Sequence, residues 1–216
     1  MGGRGVIEGA FALLEALAHG DEMGLTHLAL AAGLPKATAY RLLSQLVAEG
    51  AVQRRAGRYQ LGPRVFRLGQ TWQPARLLRA AAAQPMRQLT GSSERCGFCL
   101  AVTDRGHTMI IGGIGREIDE IFPLRAGMLL PPGTATEKAL SGATGGELAY
   151  DTDGSRLGLY CVAAPVHGPS GEVVAALAAT TLEPQRLTVM AEPVKRAAAL
   201  VATNLVRLMR AGRSSL

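Results

Sequence analysis

Residues 25–61 read LTHLALAAGLPKATAYRLLSQLVAEGAVQRRAGRYQL, a pattern typical of two short helices, a turn and a basic hairpin. The first helix is predicted over residues 25–32, where apolar residues recur at helical spacing. Gly33 can adopt the positive φ angle that ends this helix, and Pro35 suits the first turn of the next one. The spacing therefore predicts a helix-turn-helix.

The second helix of this pattern, predicted over residues 36–49, has one apolar and one polar face. The apolar stripe consists of Ala39, Leu42, Leu43, Leu46 and Val47. A helix of this width fits the major groove of DNA, where polar side chains reach phosphates and base edges. Candidate DNA contacts on its polar face are Lys36, Thr38, Tyr40, Arg41 and Ser44.

Two of these contacts have alternatives. Arg41 can bind guanine through two hydrogen bonds, or it can contact phosphate alone. Tyr40 can contact the groove, or it can pack against the hairpin that follows. Lys36, near the start of the helix, is expected to contact phosphate.

The hairpin after Gly50 is predicted from strands at residues 51–54 and 58–61 around the turn Ala56-Gly57. Arg54, Arg55 and Arg58 lie at or near its tip and are expected to position the domain on phosphates rather than to specify sequence. No acidic residue lies between Glu49 and Glu94. That window holds the arginines Arg54, Arg55, Arg58, Arg64, Arg67, Arg76, Arg79 and Arg87. Such a belt suits phosphate binding because neutralised phosphates release counterions, although a solvated arginine-rich helix would show the same composition.

Two separate parts of the sequence resemble one known family. ALAAGLPKATAYRLLSQLVAEGAV followed by RYQLGPRVFRLG resembles the DNA-binding domain of IclR-type bacterial transcriptional regulators. PPGTATEKAL at residues 131–140 and LGLYCVAAPVHGPSGEVVAALAAT at residues 157–180 resemble the family's later loop-helix segment and its late hairpin. The resemblance implies a winged helix-turn-helix at residues 1–63, a linker helix at 64–75, and a GAF-like effector-binding and oligomerisation domain at 76–216.

The remaining elements indicate an α+β protein. Helices are predicted at residues 6–18, 64–71, 75–89, 136–141 and 184–210, and strands at 98–103, 108–112, 118–124, 159–167 and 173–181. Hairpins flanked by helices are typical of a sheet covered by helices. The helix at residues 64–71 has an apolar face formed by Val65, Phe66, Leu68 and Trp72, which is expected to pack against another chain or the winged domain.

The resemblance also implies an effector pocket between residues 131–140 and the late hairpin. The positions that match the family's ligand contacts are Ala135, Thr136, Asp151, Cys161, Ala178 and Thr180. Glu137 replaces a small residue beside the family's anion site, and its carboxylate would repel a ligand carboxylate. A larger, more apolar effector is expected from the supply of Phe98, Ile121, Phe122, Met128 and Leu130.

One segment departs from the family pattern. Between Leu140 and Asp151 the chain has only SGATGGELAY, where family members carry several turns of helix. We therefore expect a regulator, repressor or activator, that binds a palindromic operator as a homodimer or homotetramer and responds to a small-molecule effector. The alternative is a DNA-binding regulator whose C-terminal domain is degenerate, ligand-independent and used only for oligomerisation.

Composition narrows the remaining function classes. A chain of 216 residues suits two small domains, and a net charge of +6 permits a polyanionic partner. No apolar run of about 18 residues or cleavable leader is present, so we expect a cytoplasmic protein without a membrane partner. Cys96 and Cys99 form a lone C-x-x-C within apolar sequence, which favours a core role over zinc or redox chemistry.

Catalysis and cofactor binding find little support in the sequence. No family pattern joins Cys161 to a histidine base, and a free cysteine in an apolar strand is usually a core residue. Asp104, Asp119, Glu120 and Asp153 lack the spacing of a metal-binding loop. We therefore expect no enzymatic activity, no metal and no cofactor, and keep a thiol enzyme whose winged domain binds protein as the less favoured alternative.

Overall fold

The computed structural model of the protein describes residues 5–18, 20, 22–154 and 158–213. The chain divides into two compact units, Met1–Trp72 and Gln73–Leu216. Among the described residues, no helix combines the length and the apolar character needed to cross a membrane.

The N-terminal unit is a winged helix-turn-helix. Its elements are α1 (Val6–Ala18), β1 (Met23–Gly24), α2 (Leu25–Ala31), α3 (Lys36–Ala48), β2 (Val52–Arg55), β3 (Arg58–Leu61) and α4 (Pro63–Gln70). The first three helices pack around a core whose largest buried side chains include Leu13, Leu28 and Leu43. The three strands form an antiparallel wing in the order β1-β3-β2. The sequence predicted the two longer strands but not the two-residue strand β1.

Two turns set the geometry of this unit. Gly33 has a φ angle of +62°, and the Leu34 N–H donates to the Ala29 carbonyl at 2.9 Å, which closes the turn between α2 and α3. In the wing, both Ala56 and Gly57 have positive φ angles, of 46° and 79°. Two consecutive positive φ angles are what a tight two-residue hairpin requires. The turn residues expected from the sequence therefore lie where the chain reverses.

The C-terminal unit is an α+β domain with a five-stranded antiparallel sheet. Its elements are α5 (Gln73–Ser92), β4 (Gly97–Asp104), β5 (His107–Ile114), a 3₁₀ helix (Arg116–Glu120), α6 (Ala135–Leu140), β6 (Ala149–Asp151), β7 (Tyr160–His167), β8 (Val173–Thr181) and α7 (Arg186–Arg213). The strand order is β5-β4-β8-β7-β6. Strand β8 therefore lies at the centre, between β4 and β7.

The two faces of this sheet are covered differently. Alternate residues of a strand point to opposite faces, so Phe98, Leu100 and Leu177 pack with the long helices α5 and α7. Their neighbours Cys99 and Ala178 point the other way, into a smaller core that includes residues of α6. The long helices close one face, while a six-residue helix and loops cover the other.

One predicted element is wrong. Residues 118–124 do not form a strand: the 3₁₀ helix occupies Arg116–Glu120 and a turn follows it. Arg116 has a φ angle of 52°, and the Asp119 carboxylate accepts the Leu124 N–H at 2.9 Å. This local hydrogen bond satisfies a backbone N–H group of the turn, so the apolar residues of the segment reach the core from a loop. Residues 155–157, which include the first residue of the late hairpin segment, lie outside the described residues.

Candidate functional sites

The exposed side of α3 is the first candidate site. Ala39, Leu42 and Leu43 are buried in the core of the N-terminal unit. On the other side of the helix, Lys36, Tyr40, Arg41, Ser44 and Gln45 are exposed, and Thr38 is half-buried. An exposed polar helix face above a well-packed core can enter a DNA groove without disturbing the fold.

Two of these side chains have particular surroundings. Tyr40 is 49% exposed, so a large part of its ring is available for contact. The Ser44 hydroxyl donates to the Tyr40 carbonyl at 2.8 Å, which leaves its oxygen as an acceptor. Arg41 is exposed, which allows either of the contacts predicted from the sequence.

The wing carries three exposed arginines with different neighbours. The Arg54 guanidinium lies 5.4 Å from the centroid of the buried Tyr59 ring, a cation–π contact. Arg58 donates to the Glu22 carbonyl at 2.8 Å, and its Nε lies 3.7 Å from the Glu22 carboxylate. Arg54 and Arg58 are therefore held at the wing by contacts within the unit.

The helix α4 presents an uncovered apolar face. Arg64 at its start pairs with the Glu49 carboxylate and donates to the Glu49 carbonyl at 2.8 Å. Phe66 and Leu68 are 68% and 63% exposed, and Trp72 just after the helix is 40% exposed. None of the residues of α4 is buried. The winged domain does not cover this face, so the alternative in which it would do so is wrong.

The second candidate site is a cavity on the less covered face of the sheet. Its volume is about 50 Å³, and it is partly open to solvent. It is lined by Cys99, Phe122, Leu124, Leu130, Pro131, Thr134, Thr136, Asp151, Leu159, Cys161 and Thr180. These residues come from β4, β6, β7, β8, α6 and the loops before α6 and β7.

The structure brings four of the six predicted effector contacts together at this cavity: Thr136, Asp151, Cys161 and Thr180. Strand pairing explains the grouping, because Cys161 on β7 faces Thr180 on β8 and Asp151 on β6. Ala135 and Ala178 have no exposed surface and lie in the core beside the cavity, not among its lining residues.

Of the apolar residues expected at the effector pocket, some line the cavity and others lie elsewhere. Phe122 and Leu130 line the cavity. Phe98 does not, because it points to the opposite face of the sheet, between the strands and the long helices. Ile121 is 44% exposed, and Met128 packs against the core under α6. Leu124, Pro131 and Leu159 also line the cavity, although the sequence did not lead us to expect them there.

Hydroxyl and thiol groups meet on one wall of the cavity. The Thr180 hydroxyl donates to the Cys161 sulfur at 3.7 Å, and the Thr136 hydroxyl lies 3.9 Å from the same sulfur. Burial raises the pKa of Cys161 to about 11, against the opposing effect of the two threonine hydrogen bonds. Burial also raises the pKa of Cys99. Both thiols are therefore protonated near neutral pH, a state unsuited to a nucleophile.

The start of α6 forms the rim of the cavity. The Glu137 N–H donates to the Thr134 hydroxyl at 3.4 Å, and the Glu137 carboxylate accepts the Gly133 N–H. This is a variant of the capping box, in which a threonine and a glutamate three residues later satisfy backbone donors at a helix start. The spacing Thr134-x-x-Glu137 is the sequence signal that identifies Thr134, a cavity residue absent from the predicted set.

The described part of the chain contains no group of three or more His, Cys, Asp or Glu residues placed to hold a metal ion. The three cysteines are free and buried. Cys96 lies in the core with the long helices, whereas Cys99 lies on the cavity side of β4.

Comparison with known proteins gives matches to both units. The family model described as the IclR helix-turn-helix domain matches residues 6–56. The glycerol operon regulatory protein of Streptomyces griseus is 34% identical over 139 residues, which are 62% of this chain and 54% of that protein. The protein of the same name from Streptomyces coelicolor is 36% identical over 139 residues, with the same shares of both chains. The chain thus spans about half the length of these curated relatives.

Solved structures match over most of the chain. An IclR homologue from Microbacterium hydrocarbonoxydans, crystallised in complex with 4-hydroxybenzoate, aligns with a TM-score of 0.81 and 18% identity. The alignment covers 94% of this chain and 100% of that one. At this level of identity the likeness concerns the fold.

Proposed function

We propose that this chain is a transcriptional regulator of the IclR family that binds double-stranded operator DNA. It acts as a homo-oligomer on a palindromic operator and responds to a small-molecule effector in its C-terminal unit. The same proposal assigns it no enzymatic activity, in keeping with the regulatory proteins to which it is similar.

The observation that carries this proposal is the exposed polar face of α3. Lys36 and Arg41 project from a helix whose opposite face is buried, and the wing arginines lie in the same unit. Arg41 offers five donors in a planar arrangement that suits the edge of guanine. The arginines of the wing supply the charge for phosphates, which position the domain on DNA.

The first experiment measures binding of the full chain to DNA from its own flanking intergenic region, with scrambled DNA as the control, across a salt series. Tight binding to the native fragment, far above scrambled DNA and with a steep salt slope, supports a specific regulator. Equal weak binding to both fragments contradicts recognition of that region. No binding at low salt contradicts DNA binding altogether.

Oligomerisation is supported by two exposed apolar faces in the N-terminal unit. Phe66 and Leu68 on α4 are exposed by more than 60%, and Ile7 and Phe11 on α1 by 74% and 59%. Large apolar surface of this kind marks association sites in soluble proteins. Phe66→Glu is expected to shift the full chain towards monomer in light scattering, while Arg67→Gln, which changes the net charge by the same amount at an exposed neighbouring position, leaves the mass unchanged. An unchanged mass for both variants contradicts a role of this face.

The helix α4 is also proposed to transmit the effect of effector binding to DNA binding. A ligand changes DNA affinity only if it prefers one arrangement of the DNA-binding units. Leu68→Pro interrupts the helix. This variant is expected to bind DNA and the effector as the parent chain does, but the effector should no longer change its DNA affinity. A full ligand response in this variant contradicts the assignment.

The cavity supports the effector part of the proposal, since four predicted contact residues line it. The similar glycerol operon regulators and the 4-hydroxybenzoate complex point to small molecules, polyols or aromatic acids among them, as starting compounds for a screen. A rise in melting temperature with any of them, and none with a variant that fills the cavity, supports the site.

A ligand-independent C-terminal unit is the second candidate, and one observation favours it. Residues 141–148 are a series of turns, with positive φ angles at Gly142, Gly145 and Gly146, instead of a helical wall. In that case no small molecule raises the melting temperature, while specific DNA binding and the oligomeric mass persist.

A further inference from the structure

The two long helices of the C-terminal unit carry an uneven set of charges. Helix α5 contains Arg76, Arg79 and Arg87 and no acidic residue. Helix α7 contains six lysine and arginine residues, and Glu192 is its one acidic residue. The layer that these helices form over the sheet is therefore strongly basic.

The arginines of α5 lie on the side of the helix that faces solvent. Leu78 and Leu89 are buried in the core against the sheet. Arg76 and Arg87 are both exposed. They are eleven residues apart, close to three helical turns, so they lie in one line about 16 Å apart along the helix.

Helix α7 repeats this arrangement beside α5. Val194 and Leu205 are buried in the same core, whereas Arg196 and Arg207 are exposed, again eleven residues apart. Lys195 is exposed next to them. The two helices pack against each other on one face of the sheet, so their exposed sides both face away from it. The basic side chains of both helices therefore lie on one outer surface.

The charges of this surface are not neutralised within the chain. The basic helix surface consists of Arg76, Arg87, Lys195, Arg196 and Arg207. Other arginines have acidic partners, as Arg64 has Glu49 and Arg186 has Glu183. Within the described part of the chain, no member of the basic helix surface forms an ion pair. Glu192 is exposed one turn before Arg196 and offsets a single charge of the five.

The residues between the arginines are small. Ala80 and Ala83 are exposed between the arginines of α5, and Ala199 and Thr203 between those of α7. Short side chains leave the flanking guanidinium groups as the parts of the surface that reach furthest into solvent. A large, regularly charged partner can therefore approach the helices and contact several arginines at once.

From these observations we propose that the basic helix surface binds the phosphates of double-stranded DNA outside the segment that α3 reads. It is a second DNA contact, in the C-terminal unit, and the inference rests on the DNA binding proposed above. A DNA duplex carries one negative charge for about every 1.7 Å of its axis, which complements a line of unpaired arginines. Contacts of this kind position a duplex without reading its sequence.

A second copy of the chain is the competing partner for this surface. Val189 and Leu200 on α7 are 70% and 47% exposed, as an interface between copies would require. These two residues are also three turns apart and do not form a continuous apolar patch. A two-fold interface uses the same surface on both copies, so it would place unpaired arginines opposite arginines. The charges therefore favour DNA.

The test uses two duplexes and the full chain. The short duplex contains only the palindrome of the native fragment, and the long duplex adds two helical turns, about 20 base pairs, of scrambled sequence at each end. We expect the parent chain to bind the long duplex at least fivefold more tightly than the short one at low salt. The salt slope should also be steeper on the long duplex.

The variant that removes the contact is Arg196→Gln combined with Arg207→Gln. Glutamine is nearly as good a helix former as arginine, so the fold is kept. On the long duplex we expect at least fivefold weaker binding and a salt slope lower by about 2 for each bound copy of the chain. Affinity for the short duplex should stay within twofold.

Arg105→Gln combined with Arg125→Gln is the matched control. Both arginines are exposed, one in the turn between β4 and β5 and the other in the loop after the 3₁₀ helix, and the loss of charge is the same. This control should bind both duplexes as the parent chain does. An equal loss in the control overturns the inference, because total charge rather than the basic helix surface would then be responsible.

The remaining outcomes separate this inference from the proposed function. If the parent chain binds both duplexes equally well, or if the Arg196/Arg207 variant binds the long duplex as the parent does, only the second contact is overturned. A lower oligomeric mass of this variant in light scattering assigns the surface to a second copy of the chain and also overturns it. If the parent chain binds neither duplex at low salt, the DNA binding proposed for α3 fails together with this inference.

Discussion

The two units of the molecule present their candidate sites in opposite ways. In the N-terminal unit the site is the outer face of one helix, and Arg41 projects from α3 without taking part in the core. In the C-terminal unit the site is a cavity whose walls come from four strands, one helix and nearby loops. Cys161 and Thr180 there belong both to the site and to the buried part of the sheet.

Because of this difference, a substitution at the N-terminal site can change binding without changing stability. A substitution at the C-terminal cavity is expected to change both. Substitutions on an exposed helix face usually change stability by less than about 0.5 kcal/mol. Substitutions at buried positions disturb packing, because protein interiors are as dense as organic crystals. The four predictions below test that contrast, beginning with the largest expected effect.

Gly113→Ala is expected to damage the fold and the cavity together. A Cβ atom at this position of β5 would lie 2.1 Å from the Leu124 carbonyl oxygen, so the loop that carries the cavity residues Phe122 and Leu124 must move. We expect a loss of about 1–3 kcal/mol in the free energy of unfolding, measured in urea, together with loss of small-molecule binding in the cavity.

Gly112→Ala is the control for this change. The nearest atom to its added Cβ is Arg79 Cγ at 3.9 Å, an ordinary contact. It should retain both stability and small-molecule binding in the cavity. If Gly113→Ala also retained stability and binding, the cavity wall would not depend on close packing, and the expected contrast between the two units would be wrong.

Arg41→Ala is expected to change DNA recognition without changing the fold. If Arg41 binds guanine, its removal should reduce the preference for the native fragment over scrambled DNA by about 1–3 kcal/mol. The free energy of unfolding should stay within about 0.5 kcal/mol of the parent value. Equal losses on both DNA fragments, measured by fluorescence anisotropy, would show that Arg41 contacts phosphate alone.

Cys161→Ala is expected to alter the pH dependence of stability. Its pKa is about 11 in the folded chain, above the ordinary value of 9.0 for an exposed thiol. Between these two values the unfolded chain loses the thiol proton and the folded chain keeps it, so stability falls as the pH rises. From pH 8 to pH 10 this thiol should account for a loss of about 1 kcal/mol.

The measurement for Cys161 compares urea unfolding of the parent chain and of Cys161→Ala at the two pH values. The variant should lose less stability than the parent over this range, whatever its stability at pH 8. Equal losses in the two proteins would mean that the thiol titrates normally and is not enclosed by the cavity wall.

Arg58→Ala is expected to have the smallest effect. Arg58 is exposed and already paired with Glu22, so it contributes charge rather than base contacts. Its removal should weaken binding to native and scrambled DNA alike and lower the salt slope by about 1. A change in sequence preference would place it at base edges instead.

The sequence predicted the N-terminal fold closely because its helices have one buried face. In α3 the buried residues Ala39, Leu42 and Leu43 recur at helical spacing, so the exposed face follows directly. The hairpin was equally predictable, since the turn at Ala56-Gly57 requires positive φ angles. The short strand β1 was missed because two residues carry no periodic pattern.

The cavity was harder to predict because the sheet is buried on both faces. Strand β4 is apolar throughout its first six residues, so no polar alternation tells which of Phe98 and Cys99 points to α5 and α7. The family resemblance supplied Thr136, Cys161 and Thr180, which pattern alone would not have joined. The segment 118–124 was misassigned because its apolar residues enter the core from a 3₁₀ helix and a turn, which period-2 patterning does not describe.

The central claim is that the exposed face of α3 and the cavity are coupled sites of one regulator. The direct test first takes a compound that raises the melting temperature in the screen described above. It then measures the affinity for the native DNA fragment with and without a saturating amount of this compound, and the affinity for the compound with and without that DNA. Coupling requires the two affinities to change by the same factor, which we expect to be fivefold or more. If both ligands bind and neither affinity changes, the cavity does not regulate DNA binding and the claim fails.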